Sequence, residues 1–221
     1  MPFVVAVTGF LGDPSDFDGV KAACSEDWSW RVLTPLDLGG SSISDMASEL
    51  RSISADLRIG YSMGGRVMLA AQDGTPTLAL SAGIGLDGPD ARAQRAQIDD
   101  ERARELQRDP QAFLKAWYQQ PLFEALRASS VWEDIEARRS GVLQESEAWA
   151  AVLAAASPGR TPVPTLEGRL GFVVGNLDQA YRIAPESFPH RVIPRAGHAI
   201  HLESPEATAV AIQELFKELQ S

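Results

Sequence analysis

Three residues whose types together support nucleophilic or acid–base catalysis occur along the chain in the order Ser62, Asp178 and His198. Ser62 lies in the segment 60–65, Gly-Tyr-Ser-Met-Gly-Gly, which follows a short apolar run and begins a helical pattern. In that setting Gly-x-Ser-x-Gly is typical of a nucleophile elbow, a strained turn whose glycines stand where a Cβ would collide with neighbouring chain. The alternative is an ordinary serine at a strand-to-helix turn, which the pentapeptide alone would not distinguish.

The acid and the histidine each follow a predicted strand. Asp178 ends the segment Gly-Asn-Leu-Asp after one apolar run, and His198 follows Ala-Gly after the next run. Because the carboxyl ends of parallel strands meet at one edge of a sheet, we expect both side chains to lie near Ser62. The chain order serine, acid, histidine is that of an α/β-hydrolase. We therefore predict that His198 activates Ser62 and that Asp178 orients His198.

Other roles are open for the residues around this predicted triad. Asp178 could cap a turn near Tyr181, since aspartate is a common N-cap. His201, three residues after His198, is a second candidate for the base, although we expect it to pack near the mouth of the site. Asp37, in the loop after the second predicted strand, is expected to be structural.

A site of this kind needs two backbone N–H groups aimed at one developing negative charge. Met63, directly after the serine, is predicted to supply one of them. Phe10, in Gly-Phe-Leu-Gly at 9–12, is predicted to supply the other, because the flanking glycines let the backbone turn inward. The same glycines would equally suit a tight loop without a ligand.

Six short apolar segments bounded by glycine or proline are predicted to be strands. They are Phe3–Val7, Trp30–Leu33, Leu57–Gly60, Thr77–Ser81, Leu170–Gly175 and Arg191–Pro194. Helical patterns alternate with them, at Asp16–Cys24, Ser42–Ser52, Met63–Gln72 and Pro205–Leu219, with a short turn near Tyr181. This alternation predicts a doubly wound α/β sheet of six mostly parallel strands with helices on both faces.

The alternation stops between Asp87 and about Arg169, where the chain is rich in Ala, Arg, Gln and Glu and shows no convincing strand. We predict that 87–169 form an all-helical cap with a return linker. This segment would be inserted into an α/β core made of 1–86 and 170–221.

The composition of the 221 residues disfavours several classes of partner. Because 20 lysines and arginines stand against 30 aspartates and glutamates, the formal net charge is −10, so no nucleic-acid partner is expected. No apolar run approaches the roughly 20 residues of a membrane-spanning helix, and no membrane insertion is expected. A single cysteine, Cys24, and the lack of a basic leader favour a cytoplasmic location. We expect a monomer or a small homo-oligomer.

No cofactor is predicted. The histidines His190, His198 and His201 do not form a convincing metal-ligand set without clustered cysteines. The loop at 9–12 lacks the glycine spacing of a dinucleotide-binding fingerprint.

Four segments together resemble one family. They are 9–12 at the proposed oxyanion loop, 60–66 at the elbow, Trp-Tyr-Gln-Gln-Pro-Leu-Phe at 117–123, and Ile-Pro-Arg-Ala-Gly-His at 193–198. The chain is similar to the 2-succinyl-6-hydroxy-2,4-cyclohexadiene-1-carboxylate synthase family, lyases of menaquinone and phylloquinone biosynthesis with an α/β-hydrolase fold. The segment at 117–123 is the most specific, and the resemblance runs over nearly the whole chain.

This resemblance implies a lyase that eliminates pyruvate from 2-succinyl-5-enolpyruvyl-6-hydroxy-3-cyclohexene-1-carboxylate, with the triad abstracting a proton. It also implies that Tyr61, Arg66, Arg95 and Trp117 bind this small polycarboxylate substrate. Arg66 follows Ser62 by four residues and so lies on the same helix face. The structural alternatives are a surface salt bridge for Arg66, a solvated cap face for Arg95 and core packing for Trp117.

The chain departs from the family at Thr8, where the family carries a histidine, and it begins directly at the strand before the oxyanion loop. Two other functions therefore stay open. One is a serine hydrolase acting on a small carboxylester or a carbon–carbon bond. The other is a ligand-binding protein without catalytic activity on the same fold.

Overall fold

The computed structural model describes residues 1–39, 42–181 and 187–220. Its centre is one sheet of six strands in the order β2-β1-β3-β4-β5-β6. The strands are β1 Phe3–Val7, β2 Ser29–Leu33, β3 Leu57–Tyr61, β4 Thr77–Leu80, β5 Leu170–Gly175 and β6 His190–Ile193. Every neighbouring pair is parallel, so the predicted α/β fold with six strands is confirmed, and the sheet is entirely rather than mostly parallel.

Burial along the strands follows their position in the sheet. The central strands β3, β4 and β5 are buried at every residue, whereas the edge strands β2 and β6 alternate between exposed and more buried residues. Helices cover both faces of the central strands, which is why these segments are continuous apolar runs in the sequence.

Ten α-helices accompany the strands in the described part of the chain. They are α1 Asp18–Ala23, α2 Ile43–Arg51, α3 Met63–Ala70, α4 Pro89–Arg108, α5 Pro110–Tyr118, α6 Glu124–Arg127, α7 Trp132–Val142, α8 Ser146–Ala155, α9 Ile200–Glu203 and α10 Pro205–Gln220. None of the helices in that part is long and apolar enough to cross a membrane.

The first helix begins later than predicted. The expected helix from Asp16 is a 3₁₀ turn over Pro14–Phe17, followed by α1. Asp13 and Asp16 form a reciprocal capping box around Pro14, and this arrangement favours a tight turn before the regular helix starts.

Alternate residues of β1 supply the cores on the two faces of the sheet. Val4 and Ala6 pack in a cluster that includes residues of α1 and α10. Val5 and Val7 pack in a second cluster with residues of α2 and α3. The loop at the end of β1 is thereby anchored from both faces, and it carries residue 10 toward the site.

The predicted helical insertion is confirmed: α4 to α8 lie between β4 and β5 in the chain. Within this cap α4 packs against α8 and α5. The cap shares its apolar core with the sheet domain, since fully buried Trp149 of α8 lies with its ring centroid 5.5 Å from that of Phe10. A cavity remains between the cap and the carboxyl ends of the strands.

Candidate active site

Ser62 lies at a strained turn between β3 and α3. Its backbone angles are φ 52° and ψ −109°, a conformation that residues with a side chain rarely adopt. A Cβ on Gly60 would collide with the Gly64 carbonyl, and a Cβ on Gly64 would collide with the Val7 carbonyl. The glycines therefore allow α3 to pack directly against β1 and β3, as the elbow sequence predicts.

The structure brings Ser62, Asp178 and His198 together. His198 Nε2 lies 3.1 Å from Ser62 Oγ, and His198 Nδ1 lies 2.7 Å from Asp178 Oδ2. Both His198 and Asp178 are almost completely buried, with exposures of 1% and 2%. With the ring proton on Nδ1, Nε2 is free to accept the serine proton, which is the tautomer that the neighbouring carboxylate favours.

Asp178 also plays the capping role that the sequence leaves open. Its Oδ1 accepts hydrogen bonds from the N–H groups of Ala180 at 3.2 Å and Tyr181 at 3.1 Å. The two roles use different oxygens of one carboxylate. The turn therefore holds the carboxylate while Oδ2 remains directed at the histidine.

His201 does not lie at the mouth of the site, contrary to expectation. It is 1% exposed, with its ring 4.1 Å from the Tyr61 ring and 5.0 Å from the Phe17 ring. Neither ring nitrogen has a hydrogen-bond partner among the described residues. Burial, together with the charge of Arg139, holds the pKa of His201 well below its ordinary value, so this ring is neutral. His201 and Ile200 are the two buried residues of the short helix α9, and the sequence of this helix alone does not show that His201 points inward.

Aromatic rings surround the imidazole of His198. The ring centroids of Tyr61, Tyr181 and Phe123 lie 5.2, 5.0 and 5.9 Å from that of His198. Tyr61 also lines the cavity, and burial raises the pKa of its hydroxyl well above the usual range. These rings limit access of water to the imidazole.

The cavity next to Ser62 has a volume of about 250 Å³. Phe10 and Met63, the two proposed oxyanion donors, line it together with Ser62 and His198. Four arginines and two aspartates also line the cavity, namely Arg66, Arg95, Arg102, Arg139, Asp16 and Asp99. Together these six side chains give the wall a formal charge of +2. This local charge is opposite in sign to the net charge of the chain.

Arg66 lies on α3 at the inner wall of the cavity and is half-buried. Its Nη1 donates to the Ala156 carbonyl at 2.6 Å and lies 3.4 Å from Thr161 Oγ1. Burial lowers the pKa of Arg66 to about 10, so the guanidinium is still charged at neutral pH. Arg66 therefore joins the elbow helix to the segment after α8 and does not form a surface salt bridge.

Arg95 lies on the cap side of the cavity. Its Nε donates to Asp99 Oδ2 at 2.9 Å, and the fully buried Asp99 also accepts from the Ser157 hydroxyl at 2.7 Å. Arg102 reaches the other oxygen of Asp99 at 3.4 Å. Asp99 thus fixes two arginines whose charge it only partly offsets.

Trp117 lies between the aromatic core of the cap and the cavity. It packs against Phe10, with ring centroids 4.9 Å apart, and it also lines the cavity. The Arg102 guanidinium lies 5.4 Å from the centroid of the Trp117 ring. This cation–π contact connects the aromatic wall to the charged one.

Sequence reasoning missed Arg139, a buried arginine of α7 that lines the cavity. Its Nη2 donates to Asp16 Oδ2 at 2.6 Å and its Nε to the Tyr118 hydroxyl at 2.9 Å, while Nη1 has no hydrogen-bond partner among the described residues. Burial lowers the pKa of Arg139, but Tyr118 and Asp16 outweigh burial and raise it. The signal in the sequence is the doublet Arg138-Arg139, but α7 shows no clear apolar face to indicate which of the two points inward.

Asp37 and Thr8, in the loops after β2 and β1, both have structural surroundings. Asp37 accepts hydrogen bonds from the Thr34 N–H at 2.7 Å and hydroxyl at 2.8 Å, which is a structural role in its own loop. Thr8 is completely buried, and a Cβ on Gly12 would lie 2.5 Å from it, so a small side chain at 8 suits this tight loop.

In the described ranges no group of three or more His, Cys, Asp or Glu is placed to hold a metal ion.

The chain is similar to known proteins over nearly its whole length. Residues 3–211 match the model of the alpha/beta hydrolase family. Proteins named 2-succinyl-6-hydroxy-2,4-cyclohexadiene-1-carboxylate synthase from Shigella sonnei and Escherichia fergusonii are each 29% identical to it over alignments of 238 positions. These alignments cover 98% of this chain and 94% of each relative.

Solved structures agree on the fold. MenH from S. aureus superposes with a TM-score of 0.80 at 21% identity, covering 99% of this chain and 94% of that protein. An esterase from Thermogutta terrifontis superposes with a TM-score of 0.63 at 19% identity, covering 99% of this chain and 90% of the esterase. The resemblance to the synthase family that the sequence indicates is confirmed by the full-length relatives, and the chain belongs to the alpha/beta hydrolase family.

Proposed function

We propose that this protein is a carbon–oxygen lyase with the activity for which its full-length relatives are named. It would eliminate pyruvate from 2-succinyl-5-enolpyruvyl-6-hydroxy-3-cyclohexene-1-carboxylate and release 2-succinyl-6-hydroxy-2,4-cyclohexadiene-1-carboxylate. The observation that carries the proposal is a Ser62–His198–Asp178 arrangement opening onto a cationic cavity in a chain of net charge −10. A neutral ester would gain little from such a wall, whereas a polycarboxylate needs it.

Ser62 is the proposed base and His198 its activator. His198 Nε2 takes the Ser62 hydroxyl proton across the 3.1 Å hydrogen bond, and Ser62 Oγ takes a proton from the carbon next to the succinyl ketone. Asp178 stabilises the imidazolium and keeps it oriented. The electron pair of the broken C–H bond moves to the ketone oxygen, which becomes an enolate.

The N–H groups of Phe10 and Met63 are the proposed donors to this enolate oxygen. When the enolate returns to a ketone, the ring double bond shifts and the bond from the ring to the enolpyruvyl oxygen breaks. The departing pyruvate enolate takes the proton held by His198. Ser62 keeps the proton from the substrate carbon, so both residues end in their starting protonation states.

Arginines at three sides of the cavity would bind the substrate carboxylates. Arg66 lies at the elbow, Arg95 on α4 and Arg139 on α7. Arg139 is held by Asp16 and Tyr118, and Arg95 is held by Asp99, so both guanidinium groups are preorganised at the cavity wall. Tyr61 and Trp117 provide the aromatic walls between these charges.

We also propose that the segment 87–169 selects the substrate, while 1–86 and 170–221 provide the chemistry. The triad and oxyanion candidates come from the second group of residues, and three of the four lining arginines come from the cap. The small polycarboxylate is thus bound where the two parts face each other.

The direct test is pyruvate release by purified protein, followed with a lactate dehydrogenase couple against a blank without protein. The wild-type protein should release one pyruvate per substrate, and Ser62→Ala should lower the rate by at least about 10³-fold. Hydrolysis of p-nitrophenyl acetate and butyrate is measured in parallel. Fast ester hydrolysis without pyruvate release would replace the lyase with a serine hydrolase, and full turnover by Ser62→Ala would remove the catalytic role of the serine.

A further inference from the structure

Glu203, the last residue of α9, reaches back to the loop that carries His198. Its Oε2 accepts a hydrogen bond from the Gly197 N–H, and its Oε1 accepts one from the Ala199 N–H at 2.9 Å. One carboxylate therefore binds the backbone immediately before and immediately after the histidine. Glu203 takes no part in the proposed proton transfers.

The contact between Glu203 and the loop is reciprocal. The Glu203 N–H donates to the Ala199 carbonyl at 2.9 Å, so Ala199 both donates to the side chain and accepts from the backbone of the same residue. Glu203 is half-buried, and burial raises the pKa of its carboxyl although both backbone hydrogen bonds lower it. Hydrogen bonds to an ionised acceptor are about twice as strong as neutral ones, and partial burial shields these two from water.

The opposite side of the loop is held by the end of β5. The Leu177 N–H donates to the Ala196 carbonyl at 2.9 Å, and the Arg195 N–H donates to Asn176 Oδ1 at 2.7 Å. A Cβ on Gly175 would collide with the Gly197 carbonyl, so the two segments lie in direct contact. The β5 loop fixes the start of the histidine loop, while Glu203 alone among the described side chains bonds to the N–H groups on both sides of His198.

We infer that Glu203 is a positioning residue for His198, holding the imidazole at hydrogen-bond distance from Ser62. The inference rests on the proposed function only in requiring that His198 activates Ser62. A displacement of about 1 Å at a reacting group can lower a rate by about 100-fold, so release of this clamp should reduce serine reactivity while the substrate-binding wall stays intact.

The test compares Glu203→Gln and Glu203→Ala with Asp56→Asn as a matched control. Asp56 also accepts a backbone N–H, from Phe3 at 2.7 Å, but it lies just before β3 at the other end of the sheet. Folding is checked by circular dichroism. Three readouts follow: the rate at which a fluorophosphonate labels Ser62, the low-field proton resonance of the His198–Asp178 hydrogen bond, and kcat and KM for pyruvate release.

We expect Glu203→Ala to label Ser62 on the order of 10- to 100-fold more slowly than wild type and to weaken or shift the low-field resonance. Glu203→Gln keeps one acceptor oxygen, so its labelling rate should lie between those of wild type and Glu203→Ala. The loss should appear in kcat, with KM within about threefold of wild type, and Asp56→Asn should match wild type in all three readouts.

Wild-type labelling rates and an unchanged resonance in folded Glu203→Ala would overturn the inference. If Glu203→Ala unfolds, the same readouts in Glu203→Gln decide, and wild-type behaviour there overturns it equally. Phosphonate labelling does not depend on the natural substrate. Labelling without pyruvate release by the wild type would therefore contradict the proposed function and leave the role of Glu203 to be judged on labelling alone.

Discussion

Arg139 donates from Nη2 to Asp16 Oδ2 at 2.6 Å, joining cap helix α7 to the loop after β1 across 123 residues of chain. Both side chains are buried, with exposures of 4% and 2%. Arg138, which is half-buried, lies 3.5 Å from the other oxygen of Asp16. The Arg139–Asp16 ion pair is a buried polar connection between the cap and the loop after β1.

Removing Asp16 should therefore destabilise the protein strongly. Asp16→Ala leaves Arg139 charged and unpaired in a buried position, which typically costs about 3–5 kcal/mol in the free energy of unfolding. Urea unfolding measures this change. The control is Asp18→Ala, which breaks an exposed pair with Lys21 and should cost less than about 1 kcal/mol. Equal effects of the two substitutions would contradict the interpretation.

Asp178→Asn should abolish most of the activity without unfolding the protein. The amide oxygen can still accept the N–H groups of Ala180 and Tyr181, while the amide NH₂ faces His198 Nδ1 and selects the tautomer with Nε2 protonated. That tautomer cannot take the Ser62 proton, so we expect a fall in kcat of about 10³- to 10⁴-fold. The thermal midpoint should stay near that of wild type. A rate within tenfold of wild type would exclude this role for the carboxylate.

Arg95→Gln should weaken substrate binding more than turnover. Asp99 keeps its contacts with Arg102 and Ser157, so the cap should stay folded while the cavity loses one charge. We expect KM to rise by about 10-fold or more and kcat to change by less. Arg104→Gln, on an exposed position of the same helix, is the matched control and should leave KM unchanged. A similar rise in KM for both variants would indicate a general charge effect.

His201 should make the protein less stable in acid. Its pKa in the folded state is lowered by burial and by the nearby charge of Arg139, whereas in the unfolded chain it is near the ordinary 6.5. Below that pH the unfolded state binds a proton that the folded state does not, so stability falls as the pH falls from about 6.5 toward the lower folded-state value. The loss at pH 5.5 should be on the order of 1 kcal/mol.

The measurement is the urea midpoint of wild type and His201→Phe between pH 7.5 and 5.5. Phenylalanine keeps an aromatic ring beside Tyr61 and Phe17 and cannot be protonated. The difference in midpoint between the two proteins should change with pH in favour of the variant as the pH falls. A constant difference over this range would show that His201 is not responsible.

The strands and the core helices could be predicted from the sequence to within two or three residues at most ends. Strands such as β5, buried on both faces, must be continuous apolar runs, and their boundaries are set locally by glycine and proline. The predicted start of the first helix lies two residues before that of α1, because the Asp13–Asp16 capping box favours a 3₁₀ turn that helix periodicity does not reveal. Likewise, nothing in the local pattern shows that Glu203 folds back onto the loop of His198.

The catalytic residues of local motifs can be read from the amino-acid sequence, because the backbone geometry of an elbow, or of an acid that follows a strand, is set by its immediate neighbours. Ser62, Asp178 and His198 are of this kind, and the parallel sheet brings their strand ends to one edge. By contrast, the burial and neutrality of His201 and the position of Arg139 at the cavity follow from the packing of distant parts of the chain. The direction of a side chain on a short helix, or on a helix without an apolar face, depends on what packs against it. Asp16 beside Arg139, and Phe17 and Tyr61 beside His201, lie more than 100 residues away in the chain.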